Sequence, residues 1–398
     1  ADWIVDIGPG AGQNGGTLLY SGEVAALKKC KESITRTFLF NERTSAATKE
    51  RKPLDWLKVS NINRNNLKDL SVEFPLSCLT AITGVSGSGK TTLLNQVLAE
   101  SIQAQLGSES EAEEDSDGTE VLELDIDSPA TLEGAEKIRR LVCVDQKPIG
   151  RTPRSNLATY TGLFDVIRQR FAQTDEAKAR SYNAGRFSFN VNGGRCASCE
   201  GEGFVAVELM FLPSVYTPCS SCRGQRYNDE TLEVKYRGMN IAEVLSMTVD
   251  EAAEFFTELP SVARGLKTLK DVGLGYLRIG QAATELSGGE AQRIKLSNEL
   301  QRVQKGDTLY LLDEPSSGLH PADVERLMKQ LHQLVDAGNT VILIEHDMDV
   351  VSQADWVIDL GPGAGAAGGQ VVAEGPPAKI AKSKRSKTAA YLSQVLAN

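Results

Sequence analysis

The sequence lacks several features that define other classes of protein. No apolar run reaches the ~20 residues that a helix needs to span a bilayer, and the first residues do not follow the charged-then-apolar pattern of a signal peptide. No sustained heptad repeat separates its motifs, which argues against long coiled-coil arms. We therefore expect a cytoplasmic protein without a membrane partner.

Basic residues are missing from one stretch of an otherwise mixed chain. The 32 residues from Gln105 to Glu136 include twelve Asp or Glu and no Lys or Arg, so they account for much of the net charge of −10. We predict a solvated acidic loop at about 107–127. A nucleic-acid partner is still allowed, because the rest of the chain is nearly neutral or locally basic. With 398 residues, the chain should form two or more domains.

A phosphate loop is the most informative motif that is present. Gly84–Thr91 reads GVSGSGKT and fits G-x-x-x-x-G-K-[ST], between an apolar strand-like run and a segment with helical spacing. Backbone amides and a helix N-terminus can hold phosphates there, while Lys90 reaches the β- and γ-phosphates and Thr91 ligates Mg²⁺. The predicted nucleotide-binding residues are Gly84, Val85, Ser86, Gly87, Ser88, Gly89, Lys90, Thr91 and Thr92.

Further polar residues follow apolar runs in the order that a nucleotide site requires. Asp313 and Glu314 end one strand-like run and suit Mg²⁺ binding and the orientation of attacking water, respectively. His346 ends the next run and suits the γ-phosphate, and Gln146 ends an earlier one and suits Mg²⁺. Another anion site is expected where a helix begins, at Ser287, Gly288 and Gly289.

Four of the seven cysteines have the spacing of a zinc site. Cys196 and Cys199 form one C-x-x-C pair, Cys219 and Cys222 form a second, and 19 residues separate the pairs. Four thiolates complete a tetrahedron, so we predict a structural Zn²⁺ at the base of a hairpin. Because no secretory pattern is present, we expect the other cysteines to be free thiols.

Two further patterns concern domain organisation and nucleic acid. Residues 1–12 match residues 354–365 with three aliphatic exchanges, so we expect the first copy to close a preceding, similar domain. Basic and aromatic residues surround the cysteines, including Arg186, Phe187 and Tyr227. Taken alone, they fit two interpretations equally well. They could form a surface that contacts DNA, or the basic residues could be solvated while the aromatic residues lie in the core.

Together these motifs resemble those of the ABC ATPases. The elements Walker A, Q-loop, signature, Walker B and switch correspond, in that order, to the phosphate loop, Gln146, Leu286–Glu290, Asp313-Glu314 and His346. Within that superfamily the chain resembles UvrA, the damage-sensing subunit of bacterial excinuclease. The segments that carry this resemblance are the cysteine hairpin, residues 145–156 and 185–190, and Asp313-Glu314-Pro315 running into Gly318-Leu319-His320. Ser316 and Ser317 replace two expected threonines, and the acidic insert has no expected counterpart.

The resemblance implies the C-terminal half of such a protein, with an α/β fold. An ABC-type P-loop ATPase domain would carry an inserted, mainly helical domain bearing the Cys₄ zinc hairpin. The implied segments are the end of a preceding ABC domain (1–25), a linker (26–53), the first part of a second ABC domain (54–150), an inserted signature and DNA-binding domain (151–271, hairpin at about 187–230) and the second part of that ABC domain (272–398).

The implied function is DNA-binding ATP hydrolysis in nucleotide excision repair. ATP, Mg²⁺ and Zn²⁺ are the expected cofactors, and lesion-bearing double-stranded DNA, UvrB and a second copy are the expected partners. The resemblance also favours DNA contact by Arg151, Arg154, Arg186, Arg195, Arg223 and Arg226. In this family a phosphate loop faces the signature of another ABC domain, so we expect weak hydrolysis by this chain unless two copies pair head to tail.

Three alternatives differ in testable ways. A UvrA paralogue for drug resistance or DNA protection would act without UvrB. A transporter's nucleotide-binding subunit would have no zinc module, and a chromosome-organising ATPase would need heptad arms.

Overall fold

The computed structural model describes residues 1–10, 15–40, 51–109, 130–209, 212–302 and 306–397. Most of the predicted acidic loop and part of the predicted linker lie outside these ranges. The chain divides into two compact units. The first comprises residues 1–36 and 146–302, and the second comprises residues 37–145 and 303–398. None of the helices in the described ranges has the length and apolar character that crossing a membrane requires.

The strands of the described residues are β1 Ile4–Gly8, β2 Thr17–Gly22, β3 Trp56–Arg64, β4 Leu67–Pro75, β5 Leu79–Gly84, β6 Thr131–Glu133, β7 Arg140–Val144, β8 Phe204–Leu209, β9 Leu212–Pro218, β10 Thr308–Asp313, β11 Thr340–Ile344, β12 Trp356–Gly361 and β13 Gln370–Gly375.

The α-helices are α1 Val24–Leu27, α2 Ile34–Leu39, α3 Ala99–Glu109, α4 Leu157–Tyr160, α5 Leu163–Ala172, α6 Asp175–Ala179, α7 Asp229–Leu232, α8 Ile241–Ser246, α9 Val249–Phe255, α10 Pro260–Asp271, α11 Gly288–Leu300, α12 Pro321–Asp336, α13 Met348–Val351, α14 Pro377–Ile380 and α15 Ala389–Leu396. A π-helical segment, Thr92–Leu98, precedes α3, and short 3₁₀ turns lie at Ala283–Glu285 and Gly365–Ala367.

A six-stranded sheet forms the centre of the second unit. Its strand order is β13-β12-β5-β11-β10-β7, with β13 antiparallel to β12 and the remaining neighbours parallel. Every residue of β11 is buried, as are the first five residues of β5 and of β10. Such continuous apolar runs are typical of parallel strands covered on both faces. The parallel arrangement brings the carboxyl ends of β5, β10 and β11 to one edge.

An antiparallel sheet of order β4-β3-β6 adds to the second unit. β3 and β4 of this sheet form a hairpin with a short turn. Asn61 and Asn63 belong to β3, and the chain turns at Asn65 and Asn66. Register shifts within β3 accommodate Asn61, whose φ of 59° is left-handed. The strand therefore continues through the polar residues Asn61 and Asn63.

The first unit is mainly helical in its long segment, and the β8–β9 hairpin lies in sequence between the two cysteine pairs. Several of its helices begin at residues that favour N-caps. The Asn156, Asn240 and Thr248 side chains each accept a hydrogen bond from the backbone amide three residues later, and the residue there returns a bond to the cap. Apolar residues of α5 and α10 are buried, including Phe171 and Leu266. Local sequence thus sets the ends of these helices and burial holds them together.

The internal repeat extends to three-dimensional structure. β1 pairs with β2 in the same register as β12 with β13, including a bulge at Asp6/Ile7 and at Asp359/Leu360. α1 and α2 occupy the positions that correspond to α14 and α15. Thr35 donates to the Asp6 carboxylate at 2.9 Å, and Thr388 donates to Asp359 at 3.0 Å. Helical structure therefore begins inside the segment predicted as a linker.

The five-segment division of the chain stays a prediction. The compact units draw their boundaries differently, because the helix that follows the signature, α11, falls in the same unit as the cysteine-bearing segment.

Candidate nucleotide and metal sites

The phosphate loop connects β5 to the helix that follows it. At Gly84, φ is 132° and an added Cβ would lie 2.0 Å from the Leu360 carbonyl oxygen; at Gly89, φ is 108°. Larger residues are therefore excluded at both positions. The buried Lys90 donates from Nζ to the carbonyl oxygens of Gly84 and Val85, each at 3.0 Å. Burial lowers the pKa of Lys90, while Glu314 and Asp313 act in the opposite direction. This ammonium lies inside the loop, where phosphate oxygens would bind.

A second backbone segment supports the phosphate loop from outside. Gly365 donates its amide to the Gly87 carbonyl at 2.9 Å, and Gly369 donates to the Ser88 carbonyl at 2.9 Å. Asn66, in the β3–β4 turn, donates to the carbonyls of Gly87 and Gly365. The glycine-rich repeat element after β12 is thus a direct support of the phosphate loop.

Asp313 ends β10 at the same edge of the sheet. Its Oδ2 accepts a hydrogen bond from Asn95 Nδ2 at 3.1 Å, which ties it to the helix after the phosphate loop. Burial raises the pKa of Asp313, and the Asn95 bond opposes that shift. A partly buried carboxylate held in this way suits a divalent cation, which would stabilise its charge.

Glu314 and His346 lie together at this edge. His346 Nε2 is 3.4 Å from Glu314 Oε1, and both side chains are nearly half exposed. Glu314 has φ of 45°, which is unusual for a residue with a side chain. The second unit thus brings together the predicted residues of the phosphate loop, Asp313, Glu314 and His346.

The predicted signature and Q-loop residues belong to the first unit. Ser287 is the N-cap of α11: its hydroxyl accepts from the Glu290 amide at 3.3 Å and donates to the Glu290 carboxylate at 2.8 Å. Gly288 and Gly289 form the first turn of that helix. The exposed Gln146 lies against this turn, because a Cβ added at Gly288 would come within 3.2 Å of the Gln146 Cβ. The amides of this turn are oriented for an anion.

The four predicted cysteine ligands form one cluster. Their sulfur atoms all lie within 4.8 Å of one another, and all four residues are buried. Cys199 and Cys222 have an Sγ–Sγ distance of 3.6 Å. Tetrahedral Zn²⁺ with bonds of about 2.3 Å has ligand atoms roughly 3.8 Å apart, so this cluster fits the ion.

The protein around the sulfurs also fits thiolates. The Gly203 amide donates to Cys199 Sγ at 3.3 Å. Amides of Cys222 and Ser221 lower the pKa of Cys219 to about 7, whereas burial raises the pKa of Cys222 to about 12. A bound cation would stabilise all four thiolates. The cluster therefore has the donor set and enclosure of a structural zinc site, as the spacing predicted.

One predicted DNA residue and the neighbouring aromatics are not at the surface. Arg226 is 5% exposed and donates to the Pro153 carbonyl at 2.9 Å and the Gly280 carbonyl at 3.5 Å. Its guanidinium packs 5.0 Å from the ring centroid of Phe189. Phe187, Phe189 and Tyr227 are buried in the core. The DNA contact predicted for Arg226 stays a prediction that this burial does not support, because the guanidinium donates to internal carbonyls.

The other five predicted arginines differ in exposure. Arg151 and Arg223 are exposed. Arg154 and Arg195 each lie 3.5 Å from the Glu200 carboxylate, and Arg186 lies 2.7 Å from Glu230. Phosphate contact by these three would compete with ion pairs. Arg223 also lines a cavity of about 870 Å³ with Met239 and Arg278.

Several residues that shape the nucleotide site carry no motif. Asn66, Asn95 and Glu345 hold its loops through side-chain hydrogen bonds. Asn95 and Glu345 stand near motif residues in the sequence, where polar residues are common, and Asn66 has no such neighbour.

Comparison with known proteins identifies relatives along the whole chain. UvrABC system protein A of Streptococcus pyogenes serotype M1 is 50% identical over 397 residues, which cover 98% of this chain and 40% of that protein. The Streptomyces coelicolor protein of the same name is 52% identical over 399 residues, covering 100% of this chain and 38% of that protein. No protein-family model matches.

One solved structure agrees closely in fold. The crystal structure of UvrA2 from Deinococcus radiodurans aligns with a TM-score of 0.91 and 57% identity, over 100% of this chain and 46% of that one. The chain spans about two fifths of the curated relatives. The resemblance drawn from the sequence and the α/β fold with its Cys₄ cluster are both confirmed. The roles of individual site residues stay predictions.

Proposed function

Since this chain belongs to the UvrA family, of which it spans about two fifths of the length, we propose that it hydrolyses ATP and binds damaged DNA as part of the excinuclease of bacterial nucleotide excision repair. The single observation that carries the proposal is the arrangement of Lys90, Asp313, Glu314 and His346 at one edge of the second unit. Family membership supports an ATPase of the ABC superfamily.

Each residue has a role that its surroundings support. Lys90 and the amides of Gly84–Thr92 would bind the phosphates, and Thr91 with Asp313 would hold Mg²⁺. Glu314 would orient the attacking water, and His346, which lies 3.4 Å from Glu314, would contact the γ-phosphate. Gln146 would act as a further Mg²⁺ ligand, and Ser287, Gly288 and Gly289 would close the nucleotide site of a second ABC domain. Mg²⁺ would neutralise charge on the phosphates.

The DNA-binding role rests on the first unit. Zinc held by the four cysteines would fix the base of the β8–β9 hairpin, close to the exposed Arg223. Arg151, Arg154, Arg186 and Arg195 would add phosphate contacts, and Arg226 is withdrawn from that set because it is buried. A dimer would load DNA onto UvrB in an ATP-dependent way.

Lys90→Ala tests the ATPase proposal. We expect loss of Mg²⁺-dependent ATP hydrolysis and at least about tenfold weaker ATP binding, because a charge-assisted phosphate contact is worth roughly 1.5–3 kcal/mol. Turnover and binding of a fluorescent ATP analogue are measured with and without damaged duplex DNA. Lys382→Ala, at an exposed lysine after α14, is the matched control. Equal turnover by Lys90→Ala would refute the proposal.

A UvrA paralogue that acts without UvrB is the second candidate. The observation behind it is that the aligned structure has the separate name UvrA2 and is 57% identical to this chain, against 50–52% for the curated relatives named above. Co-precipitation with purified UvrB separates the two: retention of UvrB supports the repair subunit, and binding of DNA and ATP without UvrB supports the paralogue.

A further inference from the structure

A buried carboxylate lies beside the nucleotide site without belonging to its predicted machinery. Glu345 comes directly after β11 and directly before His346, and it is 2% exposed. Its backbone amide donates to the Ile82 carbonyl of β5 at 3.1 Å, so its position is fixed by the central sheet.

The two carboxylate oxygens of Glu345 accept hydrogen bonds from two different loops. Oε1 accepts from the Ser316 amide at 2.8 Å, and Oε2 accepts from the amides of His346 at 3.0 Å and Asp347 at 3.4 Å. Burial raises the pKa of Glu345, and the Ser316 hydroxyl and these amides oppose that shift. A buried carboxylate is costly unless such donors surround it. Here the donors are backbone amides of the two loops, together with the Ser316 hydroxyl.

Both loops carry residues of the proposed reaction. Ser316 follows Glu314 by two positions, and His346 is adjacent to Glu345. Glu314 has a left-handed φ of 45°, a conformation that a residue with a side chain keeps only where its surroundings enforce it. The Glu314 amide donates to the Ile344 carbonyl at 3.0 Å, which fixes one side of this residue. The Ser316–Glu345 bond fixes the other side.

We infer that Glu345 is a positioning residue for ATP hydrolysis, whose carboxylate joins the Glu314 loop to the His346 loop. This inference rests on the proposed ATPase function and adds a residue to it. Glu345 would not touch nucleotide. It would hold the Glu314 carboxylate and the His346 imidazole at the separation that the reaction requires.

The inference depends on two acceptor oxygens at a set distance from the backbone. Glutamine has the same length but only one acceptor, so its NH₂ would face either the Ser316 amide or the His346 amide. Aspartate keeps both acceptors but is one methylene shorter, so it cannot reach both loops from the same backbone position. Both substitutions should therefore uncouple the loops.

Glu345→Gln is the first test, in the full chain with Glu374→Gln as control, at an exposed glutamate on β13. We expect kcat for ATP hydrolysis to fall about tenfold or more with KM changed less than about twofold, the pattern of an interaction needed only in the transition state. Amide hydrogen exchange should quicken at Ser316, His346 and Asp347 but not in the phosphate loop. Glu345→Asp should behave likewise.

Each outcome decides the question. Wild-type kcat in Glu345→Gln, or unchanged exchange at Ser316, would overturn the positioning role. If the wild type does not hydrolyse ATP, the proposed function fails, but the exchange measurement still tests the link. If the Glu345→Gln variant does not fold, amide hydrogen exchange of the wild type tests the link between the two loops. The Ser316 and His346 amides should then be protected together, and fast exchange at either one contradicts the link.

Discussion

At the scale of the residue, side-chain amides outside the motifs hold the proposed nucleotide site through long-range hydrogen bonds. Asn95 lies one turn after the phosphate loop and donates to Asp313, 218 positions later. Asn66 bridges Gly87 and Gly365 across an even longer separation. Neutral amides suit this role because they add hydrogen bonds without adding charge next to Mg²⁺ and phosphate.

Asn95→Ala should weaken the proposed Mg²⁺ site. A hydrogen bond to a charged group is worth roughly 1.5–3 kcal/mol, so we expect kcat/KM for Mg·ATP to fall about tenfold. Asn95→Asp should be worse, because a second carboxylate beside Asp313 would raise its already raised pKa further. Steady-state ATPase assays over a Mg²⁺ titration measure both effects.

Gln370→Ala serves as the control for the Asn95 variants, because Gln370 is exposed on β13. It should leave the Mg²⁺ dependence unchanged. Equal kcat/KM for Asn95→Ala and wild type at limiting Mg²⁺ would show that Asp313 needs no support from Asn95.

Motifs allowed the charged residues of the candidate nucleotide site to be predicted. The roles of Arg226 and Glu345 depend on burial, which the sequence does not show. Lys90 could be predicted from its glycine-rich motif, and Asp313 and His346 from their places after apolar runs of β-type residues. Arg226 could not be assigned, because a guanidinium looks the same in sequence whether it binds phosphate or internal carbonyls. Glu345 could not be predicted either, since most of its hydrogen-bond donors are backbone amides, which carry no sequence signal.

At the scale of the element, apolar patterning predicted strands better than it predicted short helices. The runs that became β5, β10 and β11 are continuous and buried. α1 and α2 lie in a polar segment with few buried residues, and only Leu27 is buried among them. Their likeness to α14 and α15 could have revealed them. That likeness rests on scattered positions, including Asp6 with Thr35 and Asp359 with Thr388.

Zinc removal should affect one element of the first unit and leave the second unit intact. Cys219→Ser with Cys222→Ser should lower the zinc content from about one ion per chain to none, because two thiolates do not form a structural site. The hairpin base should loosen, and we expect DNA affinity to fall about tenfold, with a smaller salt dependence. ATP binding should persist. Metal analysis, salt-titrated DNA binding and nucleotide binding measure these outcomes.

Cys143→Ser is the matched thiol control, since Cys143 is an exposed cysteine on β7 of the second unit. It should keep zinc and DNA binding. If the double variant loses zinc but keeps full DNA affinity, the cysteine hairpin does not contribute to the DNA surface. Protein contacts would then be the remaining role for it.

At the scale of the whole molecule, the chain has one phosphate loop and one signature. The phosphate loop lies in the second unit and the signature in the first. The resemblance to the ABC ATPases implies that a nucleotide is enclosed by the phosphate loop of one domain and the signature of another. Two copies of this chain would satisfy that requirement only in a head-to-tail pair, so hydrolysis should depend on self-association.

Mixing two inactive variants tests this arrangement. Lys90→Ala removes the phosphate-loop charge, and Ser287→Arg should block the signature turn, where the hydroxyl now caps α11. In a mixed pair, one site combines the intact phosphate loop of one copy with the intact signature of the other. We expect ATPase activity in a 1:1 mixture to recover to roughly a quarter of wild type, because random pairing of a two-fold dimer makes half the pairs mixed, each with one intact site.

Dilution gives an independent check of the same arrangement. If the site forms between copies, specific ATPase activity of the wild type should rise with protein concentration and level off once pairs predominate. A mixture of Lys382→Ala and Ser287→Arg is the control for pairing. In that mixture, a mixed pair has one intact site, and a pair of two Lys382→Ala copies has two. Activity that is independent of concentration, together with no recovery in the Lys90→Ala and Ser287→Arg mixture, would place hydrolysis within a single chain. The signature would then have to act on the phosphate loop of its own copy.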